Sequence, residues 1–255
     1  MKKILTATMI AATCLFANTA FAVDTNEVLD KGTMEIAPAL TLDNLYAGAK
    51  PSFGAEIGIG YGLLDELTIG TGFYMGTEES FEGASFGFDI YSVYTPLDSD
   101  YFDIDIMMDF DINTVDGYTW TPSVEFNFDF APDQEFMGLY ARVGLPVYYA
   151  TNDARADVSL DIMLGAYITI AEDHQILLEG GFVVENMATE LAVVSNPLSI
   201  GYNVALLDNF ELTTELAFYI PSIGSEEDAF GAALSIGGLF GFGGSSEDSS
   251  EAASE

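Results

Sequence analysis

The chain has 255 residues, 49% of them hydrophobic, and carries 41 acidic against six basic side chains, a formal charge of −35. Such a charge repels nucleic acid and anionic headgroups, which argues against both as partners, and the hydrophobic content is too high for a disordered chain. Apolar and acidic residues must therefore be sorted onto different faces.

The first residues read as an export signal. Lys2 and Lys3 supply a basic start, Ile4 to Phe16 a mainly apolar run, and Ala20-Phe21-Ala22 a small-x-small cleavage pattern. Residues 1–22 are expected to be removed, with residues 23–242 as the folded unit and the acidic tail 243–255 disordered. Thr13 fits lipoprotein processing at Cys14 badly. Cleavage removes Cys14 and two of the six bases. The mature chain then has no cysteine, and four bases against 41 acids leave −37. Disulfides and a cysteine-based zinc site are excluded. After Ala22 no apolar run approaches the ~18 residues of a helical span, so any membrane insertion must be by strands.

From Gly32 onward, alternating segments recur between turn signals. In Thr33 to Leu42, Met34, Ile36, Leu40 and Leu42 oppose Thr33, Glu35, Ala37, Ala39 and Thr41. Ser52 to Gly62, Glu66 to Met75 and Ala84 to Tyr94 repeat the scheme, with Glu56 and Asp89 on the polar parity. Phe102 to Ile112 is the most regular: Phe102, Ile104, Ile106, Met108, Phe110 and Ile112 share one face, and Asp103, Asp105, Asp109 and Asp111 lie on the other. A strand sends alternate side chains to opposite faces, so this is a ribbon with one apolar and one acidic side. Thr119 to Phe130 carries Glu125 and Asp129 on its polar face, and Val158 to Ile170, entered through Asp157, carries Asp161. Leu139 to Tyr149 places Arg142 on its polar parity. Ile176 to Val184 is less regular, because Leu177 and Val183 share a face with Glu179. Leu198 to Leu206, Phe210 to Ile220 and Phe230 to Phe242 complete a series of about twelve strands.

Longer connections alternate with shorter ones, the layout of an all-β, up-and-down antiparallel transmembrane β-barrel with both termini on the short-turn side. Bulky apolar faces of ~9–11 residues match a tilted strand crossing the hydrocarbon. Aromatics gather near strand ends, as an interfacial girdle requires. A soluble exported β-sandwich, which also alternates apolar and polar positions, is the competing architecture.

Two stretches add a resemblance. Asp30-Lys-Gly-Thr-Met-Glu-Ile-Ala-Pro-Ala-Leu40 and Glu56-Ile-Gly-Ile-Gly-Tyr-Gly-Leu-Leu-Asp-Glu-Leu-Thr-Ile-Gly70 resemble the opening of bacterial outer-membrane transporter-type barrels, most of all the group named after the meta-pathway of phenol degradation. The resemblance covers some forty residues of the mature chain. It implies a barrel moving small hydrophobic or aromatic compounds, and it transfers no site residue. Phe240-Gly-Phe242 suits the terminal aromatic read by the barrel assembly machinery, but Gly243 to Glu255 follows it.

Catalysis finds little support. His174 is the only histidine and lies in an expected short turn, and no glycine-rich phosphate loop precedes a helix. No cofactor and no dedicated metal site are expected. The distinctive feature is an inward acidic wall made by Glu56, Asp89, Asp103, Asp105, Asp109, Asp111, Glu125, Asp129, Asp157 and Asp161, with Arg142 as the strand residue of opposite sign. Carboxylate rings attract cations, and buried carboxylates without bases require water or counterions beside them. The expected function is a passive, cation-favouring pore or transporter for small solutes, exported to the outer membrane and in contact with its lipid. A non-conducting structural or surface-interaction barrel and a soluble cation-binding sandwich stand as alternatives. The acidity also suits a high-salt habitat.

Overall fold

The computed structural model describes residues 28–43, 45, 51–77, 84–99, 102–113, 119–130, 136–150, 156–171, 174–185, 187, 193–207, 209–221 and 231–243. The expected signal peptide and most of the acidic tail lie outside the described residues.

Among these residues the structure consists of strands, turns and bends, with no helix. The strands are β1 (Met34–Asp43), β2 (Ser52–Leu64), β3 (Leu67–Thr77), β4 (Ala84–Leu97), β5 (Phe102–Asn113), β6 (Thr119–Phe130), β7 (Met137–Gly144), β8 (Val147–Ala150), β9 (Ala156–Val158), β10 (Leu160–Ala171), β11 (His174–Glu185), β12 (Val193–Leu207), β13 (Phe210–Pro221) and β14 (Gly231–Phe242). These make twelve staves. β7 and β8 are one stave interrupted at Leu145-Pro146, and β9 and β10 are another interrupted at Ser159. Proline has no N–H to give the ladder, so the interruption falls where the sequence dictates. Pairing keeps its register across it, from Glu125↔Gly144 to Trp120↔Tyr149. The stretch expected as a single strand, Leu139 to Tyr149, is corrected to this broken one.

Neighbouring strands are antiparallel throughout, and the sheet closes on itself. β1 pairs with β14 from Met34↔Phe242 to Leu42↔Leu234, and the β5–β6 pairing joins the remaining two edges. Closure leaves no open edge to present bare backbone groups to lipid. It also excludes the sandwich. β2 ends and β3 begins at the end that holds residues 31–33, as do β10 with β11 and β12 with β13, whereas β1 with β2, β11 with β12 and β13 with β14 meet at the other end. Four register shifts, at Gly62/Leu64, Tyr94/Leu97, Thr169/Ala171 and Ala205/Leu207, all fall at the short-turn end. Bulges there raise local twist and finish the pairing.

Alternation decides what each face meets. Phe73, Phe86, Ile90 and Leu164 are more than half exposed, whereas Ala37, Ala39, Val93, Leu177 and Val183 on the opposite parity are buried. The large apolar side chains thus point outward and the small or polar ones inward, the reverse of a soluble protein. At the short-turn end, Phe102 stacks on Phe128 at a ring distance of 6.3 Å and packs tilted against Phe130 at 5.3 Å, and Phe210 lies 4.4 Å from Phe240. Exposed Tyr61, Tyr94, Phe130, Phe136 and Tyr202 continue this belt, as expected of an interfacial girdle. Tyr101, Tyr118, and the side chains of Trp120 and Tyr219, which also lie near strand ends in the sequence, are outside the described residues.

Candidate functional site

The inner faces of β2 to β6 form the acidic wall. Each strand contributes alternate residues, and the pairing register sets their heights. Asp89 stands opposite Asp111, Tyr91 opposite Asp109, Asp103 opposite Asp129, and Asp105 opposite Asn127. Met107, on the same face of β5, divides its aspartates into two pairs. Asp105 and Asp109 are four residues apart, so the two groups lie ~13 Å from each other along the strand.

The lower group, near the short turns, is Asp103, Asp105 and Asp129. It is built into the turn: Ser99 N–H donates to Asp103 at 2.7 Å, and the Thr95 hydroxyl donates to Asp105. The upper group is Glu56, Asp89, Asp109 and Asp111, all within electrostatic range of one another. The Tyr74 phenol donates to Asp111 Oδ1 at 2.5 Å. Oδ1 of Asp89 and Oδ1 of Asp109 are buried and take no hydrogen bond from the protein.

A third set surrounds Arg142 on β7. Arg142 and Glu179 are each 5% exposed, and the guanidinium reaches over β10 to Glu179 on β11 at 2.6 Å while lying 4.0 Å from Glu125. Glu125 and Asp161 converge on Gly144, each with an oxygen 3.6 Å from where a Cβ would sit. The structure therefore divides nine of the ten expected wall residues among three groups. Asp157 lies on β9, and its side chain is outside the description. Among the described residues, no three or more His, Cys, Asp or Glu are grouped so as to hold a metal ion.

Sequence reasoning did not single out the tyrosines. Tyr74 pairs with Gly87, Tyr91 with Gly70, Tyr140 with Gly165 and Tyr167 with Gly138. In every pair the phenol end of the ring occupies the space a glycine Cβ would take, with ring carbons 2.0–2.1 Å from that point. The rings lie down on the wall, covering the glycines of the neighbouring strand. The available signal was a Tyr and a Gly on the polar parity of adjacent strands.

The other side of the lumen is chemically different. Small residues such as Ala37 and Ala39 of β1, Ser199 and Gly201 of β12, Ala217 of β13 and Ser235 of β14 line it, with Leu177 and Glu179 of β11 and Glu215 of β13 between them. A water-sized gap of about 20 Å³ lies among Ala39, Leu177, Ser199 and Ser235. Leu177 and Val183, irregular in the sequence pattern, are inward residues buried in this wall.

The segment ahead of β1 turns into the short-turn mouth. Leu29 N–H donates to Thr68 Oγ1 at 2.7 Å, Gly32 N–H to Gly62 O at 2.8 Å, and Gly62 N–H to Thr33 O at 2.9 Å. Carbonyl oxygens of Asp30 and Leu29 lie 2.2 and 2.4 Å from where a Gly62 Cβ would be, so only glycine admits the segment there. Gly32, at φ +85°, makes the turn into β1.

No protein-family model matches the chain, and no curated protein matches it. Solved structures do match over nearly their whole length. An outer membrane channel from Pseudomonas putida F1 superposes with a TM-score of 0.63 at 10% identity, over 86% of this chain and 98% of that one. The NanC porin gives 0.58 at 9% identity over 81% and 98%. The KdgM porin in complex with disordered oligogalacturonate gives 0.57 at 10% identity over 82% and 99%. At such identities the likeness is one of fold: the chain has the fold of outer-membrane β-barrel porins and channels.

Proposed function

We propose that the protein is an outer-membrane pore that passes small solutes passively and favours cations. The observation that supports this most is the inner wall of β2 to β6, where Glu56, Asp89, Asp103, Asp105, Asp109, Asp111, Glu125 and Asp129 face the lumen. Arg142 is the basic residue among the described strands, and it is engaged by Glu179 and Glu125. Several kcal/mol per carboxylate would be lost in a dry interior, so water and mobile counterions must share this side. A wet wall of one sign in a narrow, low-dielectric tube enriches counterions and repels co-ions.

The fold does not bring a solute with it. KdgM was solved with an oligogalacturonate, an acidic sugar chain, which this wall would repel. The resemblance of Asp30–Leu40 and Glu56–Gly70 to the phenol-degradation group adds small aromatic compounds as a second solute class. Reversal potentials in planar bilayers under a KCl gradient test the reading: a shift to the potassium side is expected, and anion selectivity overturns it.

A narrow or closed barrel with a structural role is the second reading. The segment 28–33 in the short-turn mouth and the inward Met107, Met163, Leu177 and Val183 favour it. Protein that is folded, shown by a heat-modifiable gel band, yet gives no swelling of liposomes in sugars and no conductance would establish it over the pore.

A further inference from the structure

We infer that the upper group of the acidic wall is a binding station for organic ammonium groups, such as those of a polyamine. This rests on the cation-favouring reading above and deepens it, and three observations lead to it. Asp89 is 8% exposed, and its Oδ1 takes no hydrogen bond from the protein. Asp109 Oδ1 is in the same condition. Like charges directly opposite on paired strands destabilise a sheet, and Asp89 and Asp111 are such a pair, so a cation at this height offsets a cost built into the wall.

The surroundings select the kind of cation. The carboxylates are not drawn together as ligands of a metal ion. An ammonium group bonds at longer range through N–H donors and accepts a looser arrangement of carboxylates. Tyr74 and Tyr91 flank the group, their phenol ends laid against Gly87 and Gly70, so aromatic rings stand beside the carboxylates. Aromatic rings beside carboxylates suit an alkylammonium, whose methylenes pack against aromatic carbon and whose charge is drawn to the π-cloud. The lower group lacks both features. Its Asp103 and Asp105 accept from Ser99 and Thr95, and Phe102, Phe128 and Phe130 beside it belong to the outer belt.

Isothermal titration calorimetry of the folded mature protein in detergent, with spermidine as the probe at constant ionic strength, tests the station whether or not the barrel conducts. Spermidine is expected to bind more tightly than Mg²⁺. Asp89→Asn and Asp109→Asn should each weaken it about tenfold, the scale of a lost hydrogen bond to a charged group. Tyr91→Leu should weaken it several-fold, and Asp103→Asn should leave it unchanged. Should Asp89→Asn fail to fold, Asp109→Asn and Tyr91→Leu carry the same test. Equal binding of Mg²⁺, equal loss in Asp103→Asn, or no spermidine binding overturns the inference. Spermidine binding in a barrel without cation selectivity would leave the station standing and remove the pore reading. Selectivity without spermidine binding would do the reverse.

Discussion

The inner faces of β2 to β6 and of β11 to β14 with β1 share one backbone geometry and place their acids differently. On the first, carboxylates stand opposite carboxylates, and tyrosines lie across glycines to reach them. On the second, small residues such as Ala39, Ser199, Gly201 and Ser235 stand between the acids. The second wall also carries acids, but it keeps them apart: Glu179 is held by Arg142, and Glu215 stands among Ser199, Gly201 and Thr213. The acidic wall is locally unfavourable, with Asp89 facing Asp111 and Asp103 facing Asp129. Residues that work against the fold while the rest of the barrel works for it mark the place where function sits. Arg142 stands at the junction of the two walls.

That junction is where the contrast breaks most easily. Arg142→Ala leaves Glu179 buried without its partner, and stability should fall by about 3–5 kcal/mol, because the lost partner leaves an uncompensated buried charge. Urea titration of the folded band in lipid vesicles would measure it. The double variant Arg142→Met/Glu179→Leu should recover most of the loss, since neither buried charge remains.

A lipid-facing change should cost somewhat less. Phe73→Lys puts a charge on a side chain that is 54% exposed on the outer face, and about 2–4 kcal/mol is expected near the bilayer midplane. The same titration checks it.

The glycines under the tyrosines test how the lumen is filled. Gly165→Ala places a methyl 2.0 Å from the Tyr140 ring, which must lift off the wall. Overpacking of this kind costs about 1–3 kcal/mol. Gly54→Ala, whose nearest neighbour would be Thr41 at 3.5 Å, should be nearly neutral. Equal effects at the two sites would mean that the tyrosines do not rest on their glycines.

Charge and stability should separate on the acidic wall. Replacing Asp103, Asp105, Asp109 and Asp111 together with Asn should lower the cation-to-anion permeability ratio several-fold and leave the barrel folded, as read from reversal potentials and the heat-modifiable band. Unchanged selectivity would make those carboxylates a wet face and nothing more. The smallest effect is expected at the mouth. Thr68→Val removes the acceptor of the Leu29 N–H, worth about 1 kcal/mol, and should loosen residues 28–33, read as faster hydrogen exchange there.

The twelve-stave barrel and the alternating faces of its strands were legible in the sequence. Side-chain period two is a local property: once Phe102 to Ile112 alternates without a break, every residue on it is assigned to lipid or lumen. Leu177 and Val183 looked like defects in a polar face because pattern alone treats lumenal and polar as the same thing. In a barrel, aliphatic side chains can close a wall wherever no solute passes. Which acids meet was beyond the sequence, because it depends on register between strands. Asp89 faces Asp111 only through the β4–β5 pairing, and the upper and lower groups separate only because Met107 occupies the level between them. Arg142 shows the same limit. Its sign was plain from the chain, but its reach over β10 to Glu179 depends on three strands at once. Local alternation decided which way each residue faces, and closure of the sheet decided which residues face each other.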